Sequence, residues 1–153
     1  MDFIYRNNTL TIESEKKEII LNTGSVVLDG LTIEMPGEYE KWGFLAYAHS
    51  EQDALLVEMR IEGYRVGYIT HTLTDLSVES LDFLGDLDVL VMPTLKGSIP
   101  LLEKIEPRML VTYGETAHET ATSLGVSEPP VGKYRLKEAD LSGERMGCVV
   151  MGE

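Results

Sequence analysis

Cysteine, basic residues and long apolar runs are all scarce in this sequence, and each shortage argues against a class of protein. The 153 residues include a single cysteine, Cys148, so no disulfide can form within the chain, which fits a reducing compartment. No apolar run approaches the ~20 residues of a membrane helix. The first ten residues, MDFIYRNNTL, show no basic stretch followed by an apolar one, as a signal peptide would. We therefore expect a cytoplasmic protein that does not contact a membrane.

Positive charge is the other shortage. The chain has 13 Lys and Arg residues against 26 Asp and Glu residues, for a net charge of −13. A protein this acidic is repelled by phosphate backbones. The two basic clusters, Lys16-Lys17 and Lys133–Lys137, are short and lie near carboxylates, so we interpret them as solvated strand ends. The sequence predicts no nucleic-acid binding.

Hydrophobic residues make up 43% of the chain, enough for a globular core, and the length suits one domain spanning residues 1–153.

The first 70 residues carry a strand pattern. Apolar and polar residues alternate through TLTIESE, EIIL and VVLDGLTIEM. Asn7-Asn8, Asp29-Gly30 and Glu62-Gly63 predict tight turns, and His49–Gln52 is predicted to join two longer strands.

From Ser77 onward the apolar period becomes helical. Ser77 is the predicted N-cap of a short helix, and Thr116–Glu119 has the spacing of a capping box. The predicted elements after Ser77 alternate between helix and strand: a helix from Val78 to Gly85, the strand DVLVM, a helix from Ser98 to Ile105, the strand MLVTY, a third helix ending at Gly125, and the strands GKYRLK and GCVVMG. The pattern predicts an α/β or α+β sandwich with a β-rich N-terminal half and helices packed on the sheets.

Three segments resemble small metallo-β-lactamase-like hydrolases, a group that includes lactonase-like enzymes. MPGEYEKWGFLAYA is similar to their GPGEYEVxGV, SVESLDFLGDLDVLVMP to LTxEQLEELGDVDILxVP, and IEPRMLVTYGE to LEPRIVIPMHY. Order and spacing agree from about Met35 to Glu115. The resemblance implies a metallo-β-lactamase-like β-sandwich, shortened at one place.

The same resemblance implies a metal site whose ligands are missing here. The family binds one or two ions through an HxHxDH loop, a late aspartate and further histidines, whereas this chain has three isolated histidines, His49, His71 and His118. About a dozen residues separate IILNTG from the PGEYE segment, where the family has that loop. On the family pattern, His71 stands where the ligand aspartate belongs and Gly114 where a ligand histidine belongs.

We therefore predict no catalytic and no metal-binding residues. A rebuilt zinc or manganese site is the alternative, with His71, Asp75 and His118 meeting at the strand ends and Asp86 or Asp88 nearby. The more ordinary interpretation makes both histidines partly solvated and has the two later aspartates set the turn before DVLVM.

Other candidate residues have ordinary structural interpretations. Cys148 is expected to be a small core residue rather than a nucleophile. Glu38 and Glu40 share one face of an extended segment, about 7 Å apart, and are expected to belong to a structural turn, with Tyr39 and Trp42 packing beside them. Gly97-Ser98 opens a predicted helix and is a weak candidate for an anion site.

The resulting hypothesis is a domain that binds no metal and acts as a self-associating or partner-binding module. The absent loop and helix should leave apolar surface uncovered, and such patches usually mark interfaces, so a homodimer or a complex with a protein partner is expected. The alternative is a metal-dependent hydrolase with a remodelled site around His71, Asp75 and His118.

Overall fold

The computed structural model describes all 153 residues as two facing β-sheets with three helices on one side. The elements are β1 (Asp2–Arg6), β2 (Thr9–Ser14), β3 (Lys17–Asn22), β4 (Ser25–Leu28), β5 (Leu31–Ile33), β6 (Gly37–Lys41), β7 (Phe44–Glu51), β8 (Ala54–Ile61), β9 (Tyr64–Ile69), α1 (Val78–Phe83), β10 (Val89–Pro93), α2 (Ile99–Ile105), β11 (Met109–Tyr113), α3 (Ala117–Ser123), β12 (Lys133–Arg135) and β13 (Gly147–Met151). The first sheet has the strand order β12-β1-β2-β3-β4-β5, and the second has the order β13-β11-β10-β9-β8-β7-β6. None of the helices is long and apolar enough to cross a membrane.

Tight two-residue turns build the antiparallel part of both sheets. Asn7 and Asn8 have φ values of 53° and 60°, and Asp29-Gly30 lets Leu28 pair with Leu31, as the sequence predicts. Left-handed backbone at both turn residues matches the twist of the flanking strands. One prediction is wrong: the strand β7 continues through His49, which pairs with Leu56, because the turn to β8 lies at Gln52-Asp53 instead.

The helices serve the parallel part of the second sheet. Strands β9, β10, β11 and β13 are parallel neighbours, and parallel strands need crossover connections, which are usually helical. Ser77 caps α1 by accepting a hydrogen bond from the Ser80 backbone N–H at 3.2 Å, as predicted. The prediction of a capping box at Thr116–Glu119 is wrong. Thr116 makes no side-chain cap to α3, because its hydroxyl donates to the Thr94 carbonyl instead.

Two apolar clusters hold the layers together. The larger lies between the sheets and contains 24 buried residues, among them Phe3, Tyr68 and Val111. The smaller, of 11 buried residues, lies between the second sheet and the helices and includes Leu84 and Leu102. The α+β sandwich is therefore confirmed, with one refinement: every helix packs on the second sheet, and the outer face of the first sheet is bare.

Trp42 departs from its predicted packing role. It sits in the β6–β7 turn with φ of 54° and is 65% exposed. Lys17 Nζ lies 5.9 Å from its ring centroid and donates to its backbone carbonyl at 3.3 Å. Tyr39 does pack against the core between the sheets, and its hydroxyl donates to the Met35 carbonyl at 2.6 Å.

Candidate functional site

The carboxyl ends of the parallel strands meet at one edge of the second sheet, which is where open α/β sheets bind ligands. His71 lies just beyond the end of β9, and Gly114 directly follows β11. Because β10 pairs with both strands, the two positions lie at the same edge, as the family resemblance implies. The β3–β4 turn of the first sheet also reaches this edge, since a Cβ built on Gly24 would lie 4.0 Å from His71 Cε1.

Two tyrosine hydroxyls lie inside the protein near this edge. Tyr68 is 1% exposed, and its hydroxyl donates to the Asn22 carbonyl at 2.8 Å. The Tyr113 hydroxyl lies 3.1 Å from that of Tyr68. Because the Tyr68 proton is engaged with Asn22, Tyr113 acts as the donor to Tyr68. Burial raises the pKa of both phenols above its ordinary value, so both stay protonated at neutral pH.

His71 is tied to its own strand end. Its Nδ1 lies 2.8 Å from the Thr70 hydroxyl, and that hydroxyl also accepts from the Leu55 backbone N–H at 3.0 Å. The Thr70 hydroxyl keeps its proton and a second lone pair, so it pairs with Nδ1 in either tautomer of the imidazole.

The other two residues of the alternative site do not join His71 in a ligand group. Asp75 is on the surface, where its carboxylate accepts from Lys104 Nζ at 3.1 Å, and this hydrogen bond lowers the pKa of the carboxyl below its ordinary value. His118 is exposed in the first turn of α3. His71, Asp75 and His118 do not form a ligand group, and no three His, Cys, Asp or Glu side chains anywhere in the chain do.

The donors at this edge do not fit the metal that the fold family implies. A zinc site needs three or four nitrogen, sulfur or oxygen ligands at about 2.0–2.3 Å, chiefly histidine, cysteinate or carboxylate. Here the edge offers His71, two neutral phenols and hydroxyls already paired with each other: Thr94 Oγ1 lies 2.7 Å from Thr112 Oγ1. Exposed Glu115 follows Gly114, but no three His, Cys, Asp or Glu side chains come together, so the ligand number that holds a divalent ion is not reached.

The aspartates before β10 have the structural role that the sequence predicts. Asp86 adopts φ of 59° at the turn, and Asp88 Oδ2 accepts from the Arg65 backbone N–H at 2.8 Å. The expectation of a structural turn at Glu38 and Glu40 is wrong: both lie on the strand β6 and are exposed. Cys148 is partly buried against the helix layer, and burial, aided by the charge of Glu128, raises the pKa of its thiol to about 11.

Ser98 does not offer the anion site considered for the start of α2. Its side chain is fully buried, and its hydroxyl donates to the Leu73 carbonyl at 3.0 Å. The same oxygen accepts from the Leu95 backbone N–H at 3.3 Å. With its donor and one acceptor position used within the chain, this hydroxyl fixes the loop before α2 rather than facing a ligand.

A cleft lies at the opposite edge of the sheet. It has a volume of about 600 Å³ and is bordered by the C-terminal end of α2 and the loop that leads into β13. Arg108 and Arg145 line it together with Glu103, Glu106 and Glu144. Acidic and basic side chains are mixed there, so the cleft has no marked preference for one sign of charge, and it contains no part of the phenol edge.

This two-sheet architecture, with strand ends converging beside the β3–β4 turn, defines a metallo-β-lactamase-like fold. A crystal structure from Thermotoga maritima at 2.00 Å, described as a candidate zinc-dependent hydrolase of the metallo-β-lactamase superfamily, is similar to this chain with a TM-score of 0.79. The match covers 99% of this chain and 98% of that chain at 15% sequence identity. No protein-family model matches the sequence, and neither does any curated protein.

The match confirms the metallo-β-lactamase-like fold, and at 15% identity it shows the fold alone. It also weakens the inference that this chain binds no metal because it is short. Because nearly all of both chains is covered, the Thermotoga protein is about as short as this one. Shortness is therefore shared with a candidate hydrolase, and the case against a metal site depends on the donors at the strand ends.

Sequence reasoning missed the pair Tyr68 and Tyr113. The available signal is one tyrosine close to the end of each of two apolar segments, YRVGYIT and MLVTYGE. No spacing rule joins them, because they are 45 residues apart and meet only when β9 and β11 flank the same strand.

Proposed function

We propose that this chain is a metallo-β-lactamase-like domain that binds no metal and acts through protein contacts, as a self-associating or partner-binding module. The observation that carries the proposal is the composition of the strand-end edge. The positions where the family has ligands hold His71 and Gly114 here, and the hydroxyls at these strand ends are paired with each other. Hydrolysis in this superfamily relies on a metal that activates water and polarises the substrate, and this edge lacks the donors to hold one.

The bare face of the first sheet supports self-association. One residue from each of five strands lies directly opposite the next, forming an uncovered row across the sheet: Ile4, Thr11, Ile20, Val27 and Thr32. None of the five is buried. In the second sheet, the comparable face is largely covered by the three helices. A second copy of the chain would cover the row in the same way.

Charge around this row suits a twofold arrangement. Arg6 stands on one side of it, and the cross-strand neighbours Glu13 and Glu18 stand on the other. A twofold axis that runs along the row reverses the strand direction in the second copy. Arg6 of each copy then lies over Asp2 on the same strand of the other copy, beside its cross-strand neighbour Glu13, which supplies opposite charges at both margins.

Metal content tests the proposal directly. Protein purified without chelator or nickel resin should contain zinc, manganese and iron far below one ion per chain by mass spectrometry. His71→Ala should change the free energy of unfolding by under about 0.5 kcal/mol, since the ring is only partly buried and bonds one hydroxyl. Its melting temperature should be the same with and without EDTA, and His118→Ala on exposed α3 is the matched control.

The rival function is a hydrolase with a remodelled site at His71, Asp75 and His118, and it is favoured by the name of the Thermotoga neighbour. If His71 does bind a metal, the same experiment gives a different result. A metal that binds only the folded chain at a thousand times its Kd stabilises it by about 4 kcal/mol. Stoichiometric metal that is lost in His71→Ala, with a chelator-sensitive melting temperature, would establish the rival and end the proposal.

A further inference from the structure

The two sheets present four edge strands, and one of them is both long and open. β5 and β12 have three residues each, and short edges resist the addition of another strand. β13 is closed by the segment before β12, because the Val131 N–H donates to the Val150 carbonyl and the Gly152 N–H donates to the Val131 carbonyl, both at 2.9 Å. β6 has five residues and no strand beyond it.

The turn into β7 determines which backbone groups of β6 are free. Lys41 and Phe44 flank the two-residue turn and pair directly, so they exchange hydrogen bonds. In an antiparallel ladder, bonded and non-bonded pairs alternate. Glu38 and Glu40 are therefore the non-bonded residues, and their N–H and C=O groups point away from β7 toward the open edge.

The side chains along this edge are acidic, with an apolar residue at each end. Glu34, Glu38 and Glu40 are exposed. Met35 precedes the strand and Trp42 follows it, and each is 65% exposed. Exposed large apolar side chains are few in this chain, so finding two of them at the ends of one open strand singles this edge out.

Repulsion between carboxylates excludes a second copy of this chain as the strand that pairs with β6. If two β6 strands paired antiparallel about Tyr39, Glu38 of each copy would stand opposite Glu40 of the other. Four carboxylates would then share one face of the ladder, and like charges directly opposite are destabilising. The same carboxylates attract a strand whose side chains are basic at alternate positions.

We propose that β6 binds an extended, basic segment of a partner protein by strand addition, with Glu38 and Glu40 providing both the backbone hydrogen bonds and the charge recognition. The segment carries Lys or Arg opposite these two residues and apolar residues between them, and its ends reach Met35 and Trp42. About seven residues span this distance at ~3.3 Å per residue. The inference rests on the proposed function, whose partner class it names.

Trp42 makes the binding measurable, because it is the only tryptophan in the chain and stands at one end of the edge. The probe is an acetylated and amidated seven-residue peptide with lysine and valine alternating, added to the full chain at low salt. We expect a saturable change in Trp42 emission and a matching calorimetric Kd below 1 mM. The same peptide with N-methyl groups on the backbone nitrogens of its edge-facing residues should bind at least tenfold more weakly, since strand addition needs those donors.

Two charge-matched double variants complete the test. Glu38→Lys with Glu40→Lys should weaken binding at least tenfold. Glu103→Lys with Glu119→Lys makes the same change in net charge at exposed positions of the helix layer, outside both proposed surfaces, and should leave Kd within twofold. Absence of saturation at 1 mM, equal binding of the N-methylated peptide, or equal loss in both double variants would overturn the inference. None of these results bears on metal content, so the inference of strand addition can be wrong while the proposed function stands.

Discussion

At the scale of single residues, the two strand-end phenols are not equivalent although they form one hydrogen bond together. Tyr68 is fully buried and donates to the Asn22 carbonyl, which belongs to the other sheet. Tyr113 is partly buried and only donates to Tyr68. Removing the first hydroxyl leaves a carbonyl and a phenol without partners, whereas removing the second leaves the link between the sheets intact.

Tyr68→Phe should therefore cost more stability than Tyr113→Phe. A buried group left without its partner costs about 1–3 kcal/mol, so we expect a loss in that range for Tyr68→Phe and under about 1 kcal/mol for Tyr113→Phe. Urea unfolding followed by circular dichroism at pH 7 measures both. Equal losses would show that the bond to Asn22 does not connect the sheets as the structure indicates.

Cys148 should react slowly because its thiol pKa is raised to about 11. Only the thiolate is alkylated, and a thiol with the ordinary value of 9.0 holds about a hundredfold more thiolate at pH 8. Iodoacetamide should label the folded chain at least ~100-fold more slowly than the urea-unfolded chain at pH 8. The folded rate should rise about tenfold per pH unit until the pH approaches 11. A folded rate close to that of the unfolded chain, levelling off near pH 9, would place the thiol in solvent.

At the scale of elements, close packing between β9 and the α1–β10 connection depends on the absence of a side chain at Gly67. A Cβ built there would lie 2.5 Å from Leu87 Cδ1 and 3.4 Å from Leu84 Cδ2. Both leucines are almost completely buried, so neither can turn away into solvent. The helix layer therefore rests directly on the backbone of β9.

Gly67→Ala should destabilise the protein by about 1–3 kcal/mol, the usual cost of overpacking a core. The melting temperature should fall by several degrees in calorimetry. Gly132→Ala is the matched control, because a Cβ at Gly132 meets its nearest atom at 3.6 Å, which is ordinary contact. If the two variants melt alike, the contact between α1 and the sheet is looser than described.

At the scale of the whole molecule, a net charge of −13 opposes self-association, while the uncovered face of the first sheet favours it. Two copies repel each other over distances that salt screens, since the Debye length is about 10 Å at 0.1 M ionic strength. The apolar contact is not weakened by salt. The balance between the two should therefore shift toward the dimer as salt is added. The predicted lack of nucleic-acid binding follows from the same charge and stays a prediction.

We expect a dimer of about 34 kDa, twice the chain mass of 17.0 kDa, by light scattering at micromolar concentration. The dimer fraction should be larger in 0.5 M than in 0.05 M NaCl. Ile20→Lys places a charge in the centre of the apolar row and should give a monomer. Leu45→Lys, at an exposed position of the second sheet, should leave the dimer unchanged. A monomer at all salt concentrations would contradict the surface proposed for self-association.

Local patterns in the sequence determined most of the elements and the class of fold. Turn dipeptides such as Asp29-Gly30, the cap at Ser77 and the change from a strand to a helix period depend on residues within about four positions of each other. These interactions are largely the same in any fold that contains the segment. The scarcity of histidine was equally visible, because folding cannot supply residues that a chain does not contain.

Only the tertiary structure decided how distant residues meet. It joined Tyr68 to Tyr113, did not join Asp75 and His118 to His71 in a ligand group, and turned the Thr116 hydroxyl from its own helix to the Thr94 carbonyl. It also placed all three helices on one sheet, which left the other sheet bare and the β6 edge open. Each of these outcomes depends on which strands become neighbours, and the free energy that selects strand neighbours comes from burial across the whole chain rather than from any one segment.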